Sequence, residues 1–200
     1  MKRILCLTAG SLLVATVASA QAPGGGRVGV AARLQQMYTG LKTNLTQAAD
    51  KMTDADAVFK PAPEIRSFAQ QFSHIAQFHY LFCSQVKGGT NPNTENLEQT
   101  KTTKADAVKA LADSFVYCDD VFASLTDETA NQSVAARGGE QARAVPLINL
   151  VAHDNEEYGI LTIYLRLKGQ VPPSTENAGR GRRGGAGGGG GGGAEGRGRQ

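Results

Sequence analysis

Three histidines occur in the 200 residues, and all three fall in stretches whose apolar residues recur at helical spacing. His74 and His79 lie in Phe72-Ser-His-Ile-Ala-Gln-Phe-His-Tyr80, and His153 opens His153-Asp-Asn-Glu-Glu-Tyr-Gly159. An imidazole on an otherwise apolar helix needs a hydrogen-bond partner or a metal, because burying it unpaired costs free energy. Glu157 follows His153 at i+4, so both side chains share one helical face, one turn apart. That geometry can hold one divalent metal. The same residues also fit a buried hydrogen-bonded cluster without metal, since an HxxxE pair is a weak motif by itself. The neighbours Asp154 and Glu156 read as solvated.

Four segments of helical periodicity must position these groups. The first runs from about Ala31 to Met52, with Leu34, Tyr38, Leu41, Leu45 and Ala48 on a 3-4 spacing. The second is expected to start at Pro63, after Lys60-Pro-Ala-Pro63, and to end at Gly88-Gly89. Its stripe is Ile65, Phe68, Phe72, Ile75, His79, Phe82 and Val86. His74 lies in a neighbouring row with Gln71, Phe78 and Leu81. The third starts near Thr103, where Thr103 and Asp106 resemble a capping box. The fourth runs from about Val145 to Lys168, with Gly169 as terminator. No strand pattern competes strongly. Four such helices predict an all-α fold, a four-helix bundle.

The segment Gly88 to Thr102 is 15 residues long, more than an antiparallel neighbour requires. Fully extended it spans about 50 Å, longer than a helix of roughly 33 Å, so a crossover can return the chain to the same end. Helices two and three would then run parallel. Cys83 lies 18 residues after Ile65 and Cys118 lies 15 after Thr103, which puts the two at similar heights in a parallel pair. A disulfide between Cys83 and Cys118 is the favoured reading, with two buried free thiols as the alternative.

The ends of the chain differ from this core. Lys2 and Arg3, the apolar stretch Ile4 to Val17, and Ala18-Ser19-Ala20 form the pattern of a cleaved signal peptide over residues 1–20. An exported protein, periplasmic or extracellular, is the expectation, with a flexible segment over 21–30 and no membrane span in the core. Residues 178–200 hold thirteen glycines and five arginines, and are expected to be a disordered Gly/Arg-rich tail. Of the net charge of +3, Lys2 and Arg3 carry +2 and the tail carries +4, which leaves the core at −3. A mildly acidic core argues against nucleic acid as a partner. A tail-mediated interaction with RNA or an anionic surface is the separate hypothesis that the arginines raise.

Two of these stretches resemble a known family. The stretch from Pro63 to Ala76, continuing to Phe82-Cys83-Ser84, resembles helix two of the DinB-like superfamily. His153-Asp-Asn-Glu-Glu-Tyr-Gly159, with Tyr164-Leu-Arg-Leu-Lys-Gly169 and Val171-Pro-Pro-Ser174, resembles its last helix and exit. The resemblance covers roughly residues 31 to 175, within a bundle spanning 31–177. It implies an up-down-down-up path and a metal site with one ligand from helix two and two from helix four. Carried over by position, the ligands are His74, His153 and residue 157, where the family has His and this chain has Glu157. The implied cofactor is one divalent ion, zinc, nickel, iron or manganese. His79, Asn155 and Tyr158 are the residues expected to orient the ligands from behind. The implied activity is a metal-dependent hydrolase or transferase acting on an unknown small molecule, and a homodimer is compatible with the family. The competing reading is a non-catalytic bundle with a structural His/Glu cluster.

Overall fold

The computed structural model describes residues 28–136 and 139–185, with the backbone alone for 180–185. Residues 1–27, 137–138 and 186–200 lie outside the described residues, and with them the expected leader and the end of the tail. The helical elements are α1 (Val30–Lys51), α2 (Asp54–Ala57), α3 (Phe68–Lys87), α4 (Leu97–Thr100), α5 (Lys104–Ala123), α6 (Ala144–Leu167) and α7 (Pro173–Gly185). A short hairpin of β1 (Ser133–Ala136) and β2 (Gly139–Ala142) lies between α5 and α6.

The long helices α1 and α3 bury most of their expected stripes, and α6 buries an apolar row of its own. Leu45, Phe68, Phe72, Ile75, Leu150 and Leu161 are all fully buried. Each such side chain contributes about 1.5–3 kcal/mol when removed from water. Local signals fix the helix ends. Thr103 accepts from the Asp106 N–H to open α5, and Gly88 closes α3 in the left-handed region at φ 67°. A side chain is strained at that φ, and glycine is not.

Pairings between helices give their directions. Along α3 and α5 the pairs His79–Ser114, Cys83–Cys118 and Lys87–Asp120 ascend together, so these two helices run parallel. Along α3 and α6 the pairs Phe68–Tyr164, Gln71–Glu157 and His74–His153 run in opposite senses. Gln35 reaches Phe122 while Lys42 reaches Asp119, so α1 opposes α5. The chain therefore goes up, down, down and up, and the connection between α3 and α5 crosses the length of the bundle. Cys83 and Cys118 are bridged, with Cα atoms 5.6 Å apart.

Several elements differ from the sequence expectation. The second long helix starts at Phe68, not at Pro63, because Ser67 and Gln70 form a capping box that sets the first turn. Residues 60–66 form a turn closed by the Phe68 N–H donating to the Phe59 carbonyl at 3.0 Å, and Ile65 is left 42% exposed outside the helix. The β1–β2 hairpin was not expected, since Ser133–Ala136 and Gly139–Ala142 hold small and polar residues rather than alternating large apolar ones. The crossover is not featureless, because α4 seats Leu97 against Ala76, Ala110 and Tyr80. Finally, α7 continues to Gly185, into the stretch from 178 expected to be disordered. It is held by Lys51–Glu176 at 2.9 Å and by Asn177 donating to Asn44 and Gln47. Among the described residues no helix is long and apolar enough to cross a membrane.

The disulfide closes a 35-residue span containing the whole crossover. Replacing both cysteines (Cys83→Ser with Cys118→Ser) is expected to cost about 3–4 kcal/mol on the loop-entropy account. Urea unfolding without reductant measures this as a lower midpoint for the variant. With reductant present the difference should narrow to the cost of burying two hydroxyls in place of two thiols.

Candidate metal centre

The capping box at Ser67 fixes the phase of α3 so that Gln71, His74 and Phe78 form a row facing α6. On α6, His153 and Glu157 face back toward it from adjacent turns. The antiparallel contact brings the three polar side chains together. His74 Nε2 lies 3.1 Å from His153 Nε2 and 3.4 Å from Glu157 Oε1, and His153 Nε2 lies 3.6 Å from that same oxygen. Among the described residues this is the one group of three or more His, Cys, Asp or Glu whose ligand atoms converge closely enough to share an ion. His74 and Glu157 are buried, and the His153 side chain retains 14% of its exposure.

Two imidazole nitrogens facing each other at 3.1 Å need something between them, a proton or a cation. Donors about 2.0–2.1 Å from a tetrahedral ion sit about 3.3–3.5 Å from one another, which is the size of this triangle. The residues present therefore fit a divalent ion with an open position.

Neighbouring groups fix the orientation of two of the three donors. Glu98 Oε1 accepts from His74 Nδ1 at 2.5 Å, which leaves Nε2 as the atom facing the cluster. Arg66 Nε holds the other Glu98 oxygen at 2.8 Å, and Tyr164 donates to the Arg66 carbonyl at 2.7 Å. Gln71 Nε2 donates to Glu157 Oε2, so the Oε1 atom is the one turned to the histidines. Phe78 stacks on the His153 ring, centroids 4.4 Å apart, and packs on His74 at 4.7 Å. Burial by itself would lower the pKa of His74, but the carboxylates of Glu157 and Glu98 outweigh it and raise the value above the ordinary 6.5. Glu98 is correspondingly held below the usual carboxylate range: burial pushes it up, and Arg66 and His74 more than reverse that.

The structure thus brings His74, His153 and Glu157 to one point, and does not bring the other three named residues to it. His79 is fully buried and bonded to Ser114 Oγ at 2.8 Å and to the Asp154 carboxylate at 2.9 Å, without touching the three donors. Asn155 is exposed on the α1 side, beside Arg33 and Asn44. Tyr158 is buried, and its hydroxyl accepts from the Ser174 N–H at 2.9 Å, at the start of α7. Helical geometry gives the reason: Asn155 is about 160° and Tyr158 about 140° around α6 from His153. Asp154 is fully buried rather than solvated, because it partners His79. Glu98 and Arg66 were not legible in the sequence, since they reach the site from the crossover and from the turn before α3. Gln71 was legible as a member of the His74 row, though not as a partner of Glu157.

The sequence model of the DinB superfamily matches residues 37–159, more than half of the chain. The chain belongs to the DinB superfamily. Its fold is similar to that of a DinB-like protein from Bacillus cereus ATCC 10987, with a TM-score of 0.60 and 17% identity over 70% of this chain and 93% of that one. A DinB-like protein from Bacillus subtilis aligns with a TM-score of 0.49 and 22% identity, again over 70% of this chain and 93% of that one. No curated protein matches the sequence.

The raised pKa of His74 gives a pH dependence with a definite sign. A group whose pKa is raised on folding stabilises fully below its unfolded value and loses that contribution as pH rises through the folded value. In metal-free protein, the stability advantage of wild type over His74→Gln should therefore be largest below about pH 6.5 and shrink toward higher pH. Urea melts of both proteins between about pH 5.5 and pH 8.5 measure it. A pH-independent difference would contradict the assignment.

Proposed function

We propose that this DinB-superfamily bundle is an exported metal-dependent hydrolase acting on a small molecule, with His74, His153 and Glu157 holding one divalent ion. The observation that carries this reading is the triangle of donor atoms with edges of 3.1, 3.4 and 3.6 Å. A bound ion with an open position acts as a Lewis acid and lowers the pKa of a coordinated water. The chain's own residues do the preparatory work. Glu98 selects the His74 tautomer, Gln71 leaves one Glu157 oxygen free, and Phe78 covers the His153 ring and keeps water from that side.

A metal centre can also activate a small-molecule thiol for group transfer, and hydrolysis is preferred over that chemistry because of the compartment. The leader-like residues 1–20 and the bridged Cys83 and Cys118 both speak for an oxidising environment, where reduced small thiols are scarce. A bridged cysteine also supplies no nucleophile. A second reading, a metal-free structural cluster, is favoured by one specific feature, the burial of His74 and Glu157 at 7% and 6% exposure.

Metal content separates the two. Mass spectrometry of purified protein is expected to find one divalent ion per chain in wild type, lost in His74→Ala, His153→Ala and Glu157→Ala. The structural reading requires metal-free wild type that gains no thermal stability from added zinc, nickel or manganese, together with variants that lose stability alone.

A further inference from the structure

The two histidines of the cluster are supported unequally. His74 Nδ1 has Glu98 behind it, whereas His153 Nδ1 is buried with no hydrogen-bond partner. The nearest carboxylate oxygen is Asp154 Oδ1 at 3.7 Å, just beyond hydrogen-bond range. Asp154 has no exposure at all, and its two oxygens lie 3.1 and 2.9 Å from His79 Nε2. On the far side of His79, Nδ1 meets Ser114 Oγ at 2.8 Å. Ser114 is itself buried on α5 and lies 2.8 Å from the Leu111 carbonyl. A line of buried polar groups therefore runs from α5 through α3 to α6 and ends beside His153.

Stability does not call for such a line. A buried ion pair gains little over apolar side chains of the same volume, because desolvation offsets the attraction. Position is the more informative property: Asp154 immediately follows His153, and its carboxylate is fixed from behind by a ring that is fixed in turn. A metal-bound imidazole needs an acceptor on its other nitrogen to set tautomer and ring orientation.

We infer that Asp154, held in place by His79 and Ser114, is the positioning residue for His153, accepting from Nδ1–H so that Nε2 faces the ion. Each histidine then has its own carboxylate, Glu98 from the crossover and Asp154 from the core. Ser114 and His79 reach the ion only through Asp154. The inference rests on the metal-centre reading above; it adds Asp154 and Ser114, and gives the orienting role expected of His79 a route through Asp154.

The test is Co²⁺ titration of the full-length protein, followed by visible absorption, for wild type, Asp154→Asn and His79→Gln. Melting of each protein without metal is recorded alongside. Asp154→Asn is expected to weaken Co²⁺ binding about 10–100-fold and to alter the ligand-field bands, with a smaller loss of about tenfold in His79→Gln. Wild-type affinity and bands in Asp154→Asn, whatever its melting temperature, overturn the positioning role and leave the metal centre standing. Should Asp154→Asn fail to fold, His79→Gln decides by the same criterion. A wild type that binds no Co²⁺ overturns both readings.

Discussion

Between α3 and α6 the bundle buries two imidazoles and the carboxylate of Glu157 in a layer that apolar side chains could fill at lower cost. Removing a charge from water costs several kcal/mol unless partners replace the lost hydration. The architecture around this layer supplies those partners one by one. Gln71 comes from the same face of α3, Glu98 from the crossover, and Arg66 from the turn that precedes α3. Tyr164, two turns beyond Glu157, secures the Arg66 backbone. Local features that look unrelated, a capping box at Ser67 and a one-turn helix at Leu97–Thr100, converge on one cluster because the cluster would be untenable without them.

The parallel course of α3 and α5 follows from the same demand. A short turn would have made these helices antiparallel and removed the segment that carries Glu98. The long return lets α4 lie across the helices, with Leu97 anchored against Ala76 and Ala110, and delivers a carboxylate to the back of His74. It also aligns His79 with Ser114 and, one turn on, Cys83 with Cys118. Polar and covalent links thus share one register along that helix pair.

Much of this was legible in the sequence where information is local and periodic. The 3-4 spacing of Leu34, Tyr38, Leu41 and Leu45 located α1, and Gly88 and Gly169 marked two helix ends. The i+4 relation of His153 and Glu157 needed only a helix. The family resemblance points to His74 as the ligand, whereas periodicity alone favours His79, which lies on the main stripe. What escaped depends on contacts distant in sequence. Glu98 lies in a one-turn helix, too short for a period to betray its direction. Asp154 looked like a surface residue because nothing within a turn of it identifies the buried His79 that it meets. The run of α7 past residue 178 escaped for a related reason: its glycines and arginines have low intrinsic order, and the helix is anchored just before it, where Glu176 and Asn177 meet Lys51, Asn44 and Gln47 on α1.

The disulfide has a kinetic side as well. Residues 83 to 118 form a closed covalent ring, and Glu98 sits inside it, while His74 stands on the rigid helix that carries one end of the ring. When α4 detaches in a local opening, its carboxylate cannot diffuse away, and its return is an intramolecular search within a short tether. Tethers of this kind give effective concentrations in the millimolar range. The support behind His74 is therefore a tethered ligand, whose occupancy is set jointly by the effective concentration inside the ring and by the strength of its hydrogen bond.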